Sequence, residues 1–330
     1  MMLVGKGGKP MKILGSMMAA AGLMLLCAAA HAQSYPSKPI TMVVPSGAGS
    51  ATDIIARLVS SNLAIALNAN IVVENRVGAN GALAAAYVAR STPNGHTLLM
   101  ATNSPLSAAP SLNKTIGYDP IKDFAPLSRV GSYIVSLAVH PVLPARAVQE
   151  LIAYAKANPG KLSFASGNGA GVVAGETFKS RAGIDIVNVP YRSAPQAVND
   201  LLAGRVSLMF TDITAFLPHV EAGALRLLAT TRLQRSTIAP DLPTLDEAGL
   251  KDFDMDAWGG FFAPAGTSPE VVTRLNTELR KIIDSPEIKA KSATLGFDAF
   301  SSSPEELGKF NEAQLVKWTK MIRDAGIQPE

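Results

Sequence analysis

Two short stretches of the chain carry the residue types that can hold a small anion. Ser46-Gly47-Ala48-Gly49-Ser50 follows one apolar run, and Ser166-Gly167-Asn168-Gly169 follows another. Glycines let the backbone turn tightly and let a ligand approach it closely. Where such a loop opens a helix, the first-turn N–H groups lack intrahelical partners and the positive end of the helix dipole faces the loop, which together favour an anion. Ser46, Ser50 and Thr52 add hydroxyl donors. One loop of this kind also suits a plain strand-to-helix turn. Two, one in each half of the chain, point to a shared anion site at the carboxyl ends of the strands.

Other chemistry finds less support. Gly47 and Gly49 with Glu74 match part of a dinucleotide fingerprint, but Thr52 stands where the third Gly or Ala belongs. No G-x-S-x-G nucleophile elbow occurs. His96, His140 and His219 lack partners at metal-ligand spacing and read as loop residues. Asp53, Asp212 and Asp256 read as capping or exposed carboxylates. The expectation is therefore no catalytic residue, no metal and no cofactor.

The elements that position the two loops alternate between strand and helix. Ile40 to Val44 is a β-branched apolar run and reads as a buried strand. A helix follows from Asp53 with Ile55, Val59 and Leu63 on one face. Then come a strand at 71–73, a loop at 75–81, a helix at 82–90 and a strand at 97–101. The pattern restarts with a strand at 135–139, a helix at 148–157 that stops before Pro159, and a strand at 162–165. After the second loop and its helix, strands are expected at 186–189, 206–210 and 225–230. Such alternation implies α/β architecture with mostly parallel sheets, here in two domains. The C-terminal region reads as helical, with Ser-Pro-Glu at Ser268, Ser285 and Ser303 marking three helix starts. Ser303 with Glu306 fits a capping box.

The N-terminus adds a location. Lys6, Lys9 and Lys12 precede an uncharged stretch from Ile13 to Ala30, and Ala30-His31-Ala32 is a small-residue cleavage pattern. This is the layout of a secretory signal over 1–32. Its removal takes away the single cysteine, Cys27, so no disulfide is expected. It also takes away three lysines of a chain whose formal net charge is only +4. The nearly neutral remainder lacks the electrostatic footprint of a nucleic-acid partner.

In order along the chain, Tyr35-Pro36-Ser37-Lys38-Pro39-Ile40, Val43-Val44-Pro45 with Gly49 and Asp53, Glu74-Asn75-Arg76 with Gly78-Ala79-Asn80-Gly81, and Pro93-Asn94-Gly95-His96-Thr97-Leu98-Leu99 form a series. It continues through Asn158-Pro159-Gly160-Lys161, Val189-Pro190-Tyr191-Arg192, Leu242-Pro243-Thr244 with Glu247-Ala248-Gly249, and Ala263-Pro264-Ala265-Gly266-Thr267. The series resembles the Bug family, the substrate-binding proteins of tripartite tricarboxylate transporters, over essentially the whole mature chain. The resemblance implies a two-lobed type II periplasmic-binding-protein fold, a Venus flytrap with its ligand cleft between lobes. Lobe 1 would comprise 33–136 and 258–330, and lobe 2 137–257, with crossings near Ser136 and Trp258. The implied ligand is a small organic carboxylate, the implied partners are the integral membrane subunits of such a transporter, and the implied setting is the periplasm, with the protein acting as a monomer.

Carried over residue by residue, the resemblance implies a site in which lobe 1 supplies Ser46 to Ser50 (Ser46, Gly47, Ala48, Gly49, Ser50), Asn80, Thr102, Asn103 and Ser104. Lobe 2 would supply Ser166, Gly167, Asn168, Gly169, Tyr191, Arg192 and Asp212. The chain departs from the family pattern at Pro45-Ser46-Gly47-Ala48-Gly49-Ser50, where the family has Pro-Phe-x-Pro-Gly-Gly, and at Ser193, where it has Gly. Two other readings remain at this point: a secreted enzyme acting on a small organic acid, and a ligand receptor for a signalling system.

Overall fold

The computed structural model describes residues 1–2, 35–236 and 238–329. Residues from Lys38 onward form one unit, to which the following applies. The expected signal segment lies outside the described residues apart from Met1 and Met2.

The strands are β1 (Ile40–Val44), β2 (Ile71–Asn75), β3 (Thr97–Thr102), β4 (Phe124–Tyr133), β5 (Val135–Val139), β6 (Leu162–Ser166), β7 (Ile186–Pro190), β8 (Leu208–Asp212), β9 (Arg226–Thr230), β10 (Ala257–Pro264) and β11 (Phe297–Ala299). They form two sheets, ordered β11-β4-β10-β3-β1-β2 and β7-β6-β8-β5-β9. Each sheet has a core of three parallel strands, with β1 between β2 and β3 in one and β6 between β7 and β8 in the other. Beside each core runs an antiparallel strand, β10 against β3 and β5 against β8. The sheets are thus more mixed than the alternation implied. The cause lies in the connections. Ile134 alone separates β4 from β5, too short a link for a parallel crossover, which takes a dozen residues or more. The chain passes from the first sheet to the second at that residue and returns along 231–256. Ser136 lies within β5 and Trp258 within β10.

The helices bury the faces their spacing foretells. Ala51–Leu67 turns Ile55, Val59 and Leu63 inward, none more than 1% exposed. Side-chain hydroxyls of Ser268, Ser285 and Ser303 cap the helices Pro269–Ile283, Pro286–Thr294 and Pro304–Asp324. At Ser303 the capping box is complete, with Glu306 accepting from the Ser303 N–H at 2.7 Å. Two of these helices, Pro269–Ile283 and Pro304–Asp324, pack on β4. Trp258, Phe262 and Leu307 sit in the core of the first sheet, and Ala165, Met209 and Phe216 in that of the second. Among the described residues, no helix is long and apolar enough to cross a membrane.

One side chain ties the two crossings together. The Arg232 guanidinium, just after β9, pairs with Asp256 at 3.0 Å and Asp298 at 3.1 Å and donates to the Tyr133 carbonyl at 3.3 Å.

Candidate functional site

The first glycine loop is held mainly by its own polar groups. Ser50 caps the helix Ala51–Leu67 by accepting from the Asp53 N–H at 3.3 Å. Asp53 in turn accepts from the Gly49 N–H at 3.0 Å, from Arg57 at 3.0 Å and from Asn75 at 2.9 Å. Burial alone would raise the Asp53 carboxyl. The hydrogen bonds from Arg57, Gly49 and Asn75, with the Arg57 charge, outweigh it and hold the group below its usual range. Asn75 also donates to the Ser46 carbonyl at 2.9 Å. Gly49 has φ of 78°, a left-handed conformation that a side chain resists, and nothing lies within 4 Å of where its Cβ would be.

The second loop is held differently. Asn168 caps the helix Gly169–Ala182 by accepting from the Gly171 N–H at 2.9 Å. The Ser166 hydroxyl donates to Asn188 at 2.7 Å. A Cβ on Gly167 would lie 2.5 Å from the Ala194 backbone nitrogen. A Cβ on Gly169 would lie 3.3–3.4 Å from Asn80, Leu112 and Ala108, all in the part of the chain that builds the first sheet.

Between the two parts lies a cavity of about 380 Å³. From the first part, Ser46, Asn80 and Ser104 line it; from the second, Gly167, Asn168, Tyr191 and Arg192. Asn80 is held in a left-handed conformation, with φ of 54°. The other residues expected at the site do not reach the wall. Gly47 packs behind it, where a Cβ would meet the Ser193 Cβ at 2.8 Å, so Ser193, one departure from the family pattern, lies against the loop that carries the others. Ala48 and Gly49 are exposed outside the cavity. Ser50 and Ser166 are consumed by the bonds already given, and Gly169 packs across the gap beside the cavity. Thr102 accepts from the Ser104 N–H at 3.3 Å, and Asn103 accepts from the Trp258 N–H at 3.4 Å. Asp212 ends β8 opposite Val135, and burial pushes its carboxyl up to about 7. Asn113 lines the cavity without having been expected; it follows a four-residue helix with no motif to mark it.

The electrostatics of the wall are one-sided. Among the described residues, Arg192 is the only charged side chain lining the cavity, and no carboxylate lines it. Arg192 is exposed and has no ion-pair partner among the described residues. Its neighbour Tyr191 is anchored at both ends, by its N–H to the Ser166 carbonyl at 2.8 Å and by its hydroxyl to Asp200 at 2.7 Å. The helices Ala51–Leu67, Gly169–Ala182 and Ala194–Leu202 each start within a few residues of a lining residue, Ser46, Asn168 and Arg192 respectively, and a helix start carries the positive end of the dipole. A larger cavity, about 780 Å³, lies by Lys38, Arg90 and His96. It runs along the side of the helix Ala82–Ala89 from Leu83 to Arg90, past the end that presents carbonyls and the negative pole of the dipole.

The histidines stay at element ends, apart from His219, which lies in the short helix Leu217–Glu221. Glu74, the residue that could have met a ribose, pairs with Arg76 at 2.7 Å. Among the described residues, no group of three or more His, Cys, Asp or Glu could hold a metal ion.

Comparison with known proteins agrees with this architecture. The profile of the family described as "Tripartite tricarboxylate transporter family receptor" matches residues 55–327. A UPF0065 protein of Bordetella bronchiseptica is 37% identical over 311 residues, covering 93% of this chain and 91% of its own. Protein BugT of Bordetella pertussis is 33% identical over 320 residues, covering 96% and 97%. Among solved structures, R. palustris Rpa4515 with adipate has a TM-score of 0.87 at 33% identity, covering 90% of this chain and all of that one. MatC from Rhodopseudomonas palustris with bound malate has a TM-score of 0.82 at 28% identity, covering 87% and 100%. The two-sheet fold is that of the Bug and TctC binding proteins, and this chain belongs to the tripartite tricarboxylate transporter receptor family.

Proposed function

We propose that the protein is a periplasmic solute-binding receptor that captures a small organic carboxylate and passes it to the membrane subunits of a tripartite tricarboxylate-type transporter. The observation that carries this reading is the wall of the 380 Å³ cavity, where among the described residues Arg192 is the only charge and no acid is present, with helix starts close by in the chain. A volume of about 380 Å³ equals roughly a dozen waters at ~30 Å³ each, room for a small acid with some of its hydration. Relatives solved with adipate and malate support the same ligand class. In this reading Ser46, Asn80, Ser104, Gly167, Asn168, Tyr191 and Arg192 meet the ligand, while Gly47, Ser50, Ser166 and Gly169 shape the loops that present them. The two sheets are the cores of two lobes, joined at Ile134 and along 231–256, and the lobes close on the ligand by hinge motion.

A thermal-shift panel tests the proposal. Dicarboxylates such as adipate and malate should raise the melting temperature, since a ligand at ~100 times its dissociation constant stabilises by about 2.7 kcal/mol. Diamines and neutral sugars should leave it unchanged, and the acid should be recovered chemically intact. Arg192→Gln should weaken binding of the best acid roughly tenfold or more, because a hydrogen bond to a charged group is worth about 1.5–3 kcal/mol. Melting that responds only to cations or neutral compounds would refute the carboxylate reading; steady conversion of the acid would point to an enzyme.

A further inference from the structure

Ser104 stands where the two parts of the chain meet. It opens the turn Ser104–Ala108 after β3, is 6% exposed, and lines the cavity. Its Oγ accepts from the Ala170 N–H at 3.2 Å, 66 residues away in the second-sheet part. Ala170 is the second residue of the helix Gly169–Ala182. The helix's own cap, Asn168, reaches only the Gly171 N–H, so a first-turn amide that would otherwise be unpaired is capped from across the cavity. A serine hydroxyl has one proton and two lone pairs. Here one lone pair is taken by Ala170, and the proton has no acceptor among the described residues. It is left for the occupant of the cavity.

We propose that Ser104 couples ligand capture to closure of the cleft. The Ala170 N–H donates to the Ser104 oxygen, and the Ser104 O–H donates to the bound acid. Hydrogen bonds in such a chain polarise one another, so each strengthens the next. A negative charge on the ligand draws on the Ser104 proton and makes its oxygen a better acceptor for Ala170. A neutral occupant does so less. The cross-cleft bond is therefore firmest when the cavity holds an anion, and Ser104 is a positioning residue for closure as well as a ligand contact. The ligand half of this inference rests on the carboxylate reading; the cross-cleft cap does not.

A crosslink separates the two halves. A Cβ at Gly169 would lie 3.4 Å from that of Ala108, close to the ~3.5–4.5 Å spacing of a disulfide. Ala108→Cys with Gly169→Cys should therefore oxidise to a closed protein without ligand. In that protein the Ala170 amide should exchange slowly with deuterium. Ser104→Ala should speed its exchange about tenfold or more, and Ser104→Thr should keep it slow. Failure of the crosslink to form, or unchanged exchange in Ser104→Ala, overturns the cap. In the uncrosslinked protein, the acid that most stabilises the parent should bind Ser104→Ala at least about tenfold more weakly. It should also no longer shrink the radius of gyration, while Ser104→Thr restores both and ligand-free melting stays the same. Parental affinity in Ser104→Ala, with exchange raised in the crosslinked form, overturns the coupling. If no acid in the panel stabilises the parent, the carboxylate reading falls together with the ligand half, and the exchange result still decides the cap.

Discussion

The two glycine loops look alike in sequence and work differently in space. In the first, Gly49 is needed for its positive φ, and the space beside it is open. Much of the loop's polar surface is spent internally: the Gly49 N–H donates to Asp53, the Ser50 hydroxyl accepts from the Asp53 N–H, and the Ser46 carbonyl accepts from Asn75. In the second, Gly167 and Gly169 do not occupy the left-handed region; they lack side chains because other chain lies against them. One loop uses glycine to bend, the other to be approached. The lesson is that a strand–glycine–helix pattern locates a loop reliably but leaves open which physical demand the glycine meets.

Substitutions at these positions test that contrast. The largest effect is expected at Gly167→Ala, whose Cβ would meet backbone rather than a movable side chain. Overpacking of this kind costs roughly 1–3 kcal/mol or more, so both melting temperature and affinity should fall; parental melting and binding would mean that the 190–194 segment gives way. Next comes Gly169→Val. Its side chain projects toward Asn80, Ala108 and Leu112, so the ligand-free protein should fold while affinity drops about tenfold or more and scattering shows incomplete closure. Normal compaction in that variant would argue that closure does not bring these groups together.

A smaller effect is expected at Gly47→Ala, which meets only the Ser193 side chain. A double-mutant cycle with Ser193→Gly should return most of the loss, with a coupling of roughly 0.5–3 kcal/mol; additive losses would dissolve the pairing of the two positions. The smallest is Gly49→Ala. Left-handed strain should cost about 1–2 kcal/mol of stability and leave affinity at the parental value. A tenfold loss of affinity there would place the first loop's amides on the ligand after all and erase the contrast.

Much of this was legible in the sequence for local reasons. β1 and β5 and the helix Val148–Ala157 were bounded by apolar runs and by Pro159, and the Ser-Pro-Glu signals placed three helix starts, because caps and breakers act within one turn. β4 and β10 were not legible. β10 reads Ala-Trp-Gly-Gly-Phe-Phe-Ala-Pro, buried on both faces and so without alternation, and β4 carries Pro126, Arg129 and Gly131. At the site, the motifs marked Ser46, Asn80, Gly167, Asn168, Tyr191 and Arg192, all of which line the cavity. That Ser104 reaches Ala170, or that Gly47 makes room for Ser193, depends on how distant segments meet, and no local pattern encodes it.

The position of β10 has a consequence for how the chain is made. β10 lies in the middle of the first sheet, between β3 and β4, yet is contributed by residues 257–264. A nascent chain that has reached only β4 holds β1, β2 and β3, which pair with one another, and a β4 that cannot join them until β10 is made, whereas 135–230 contains every strand of the second sheet. Synthesis supplies strands in order, but the first sheet must wait for long-range pairing, the slow kind. For the periplasmic receptor proposed above, this order means that the first sheet is completed only once residues 257–264 have joined it.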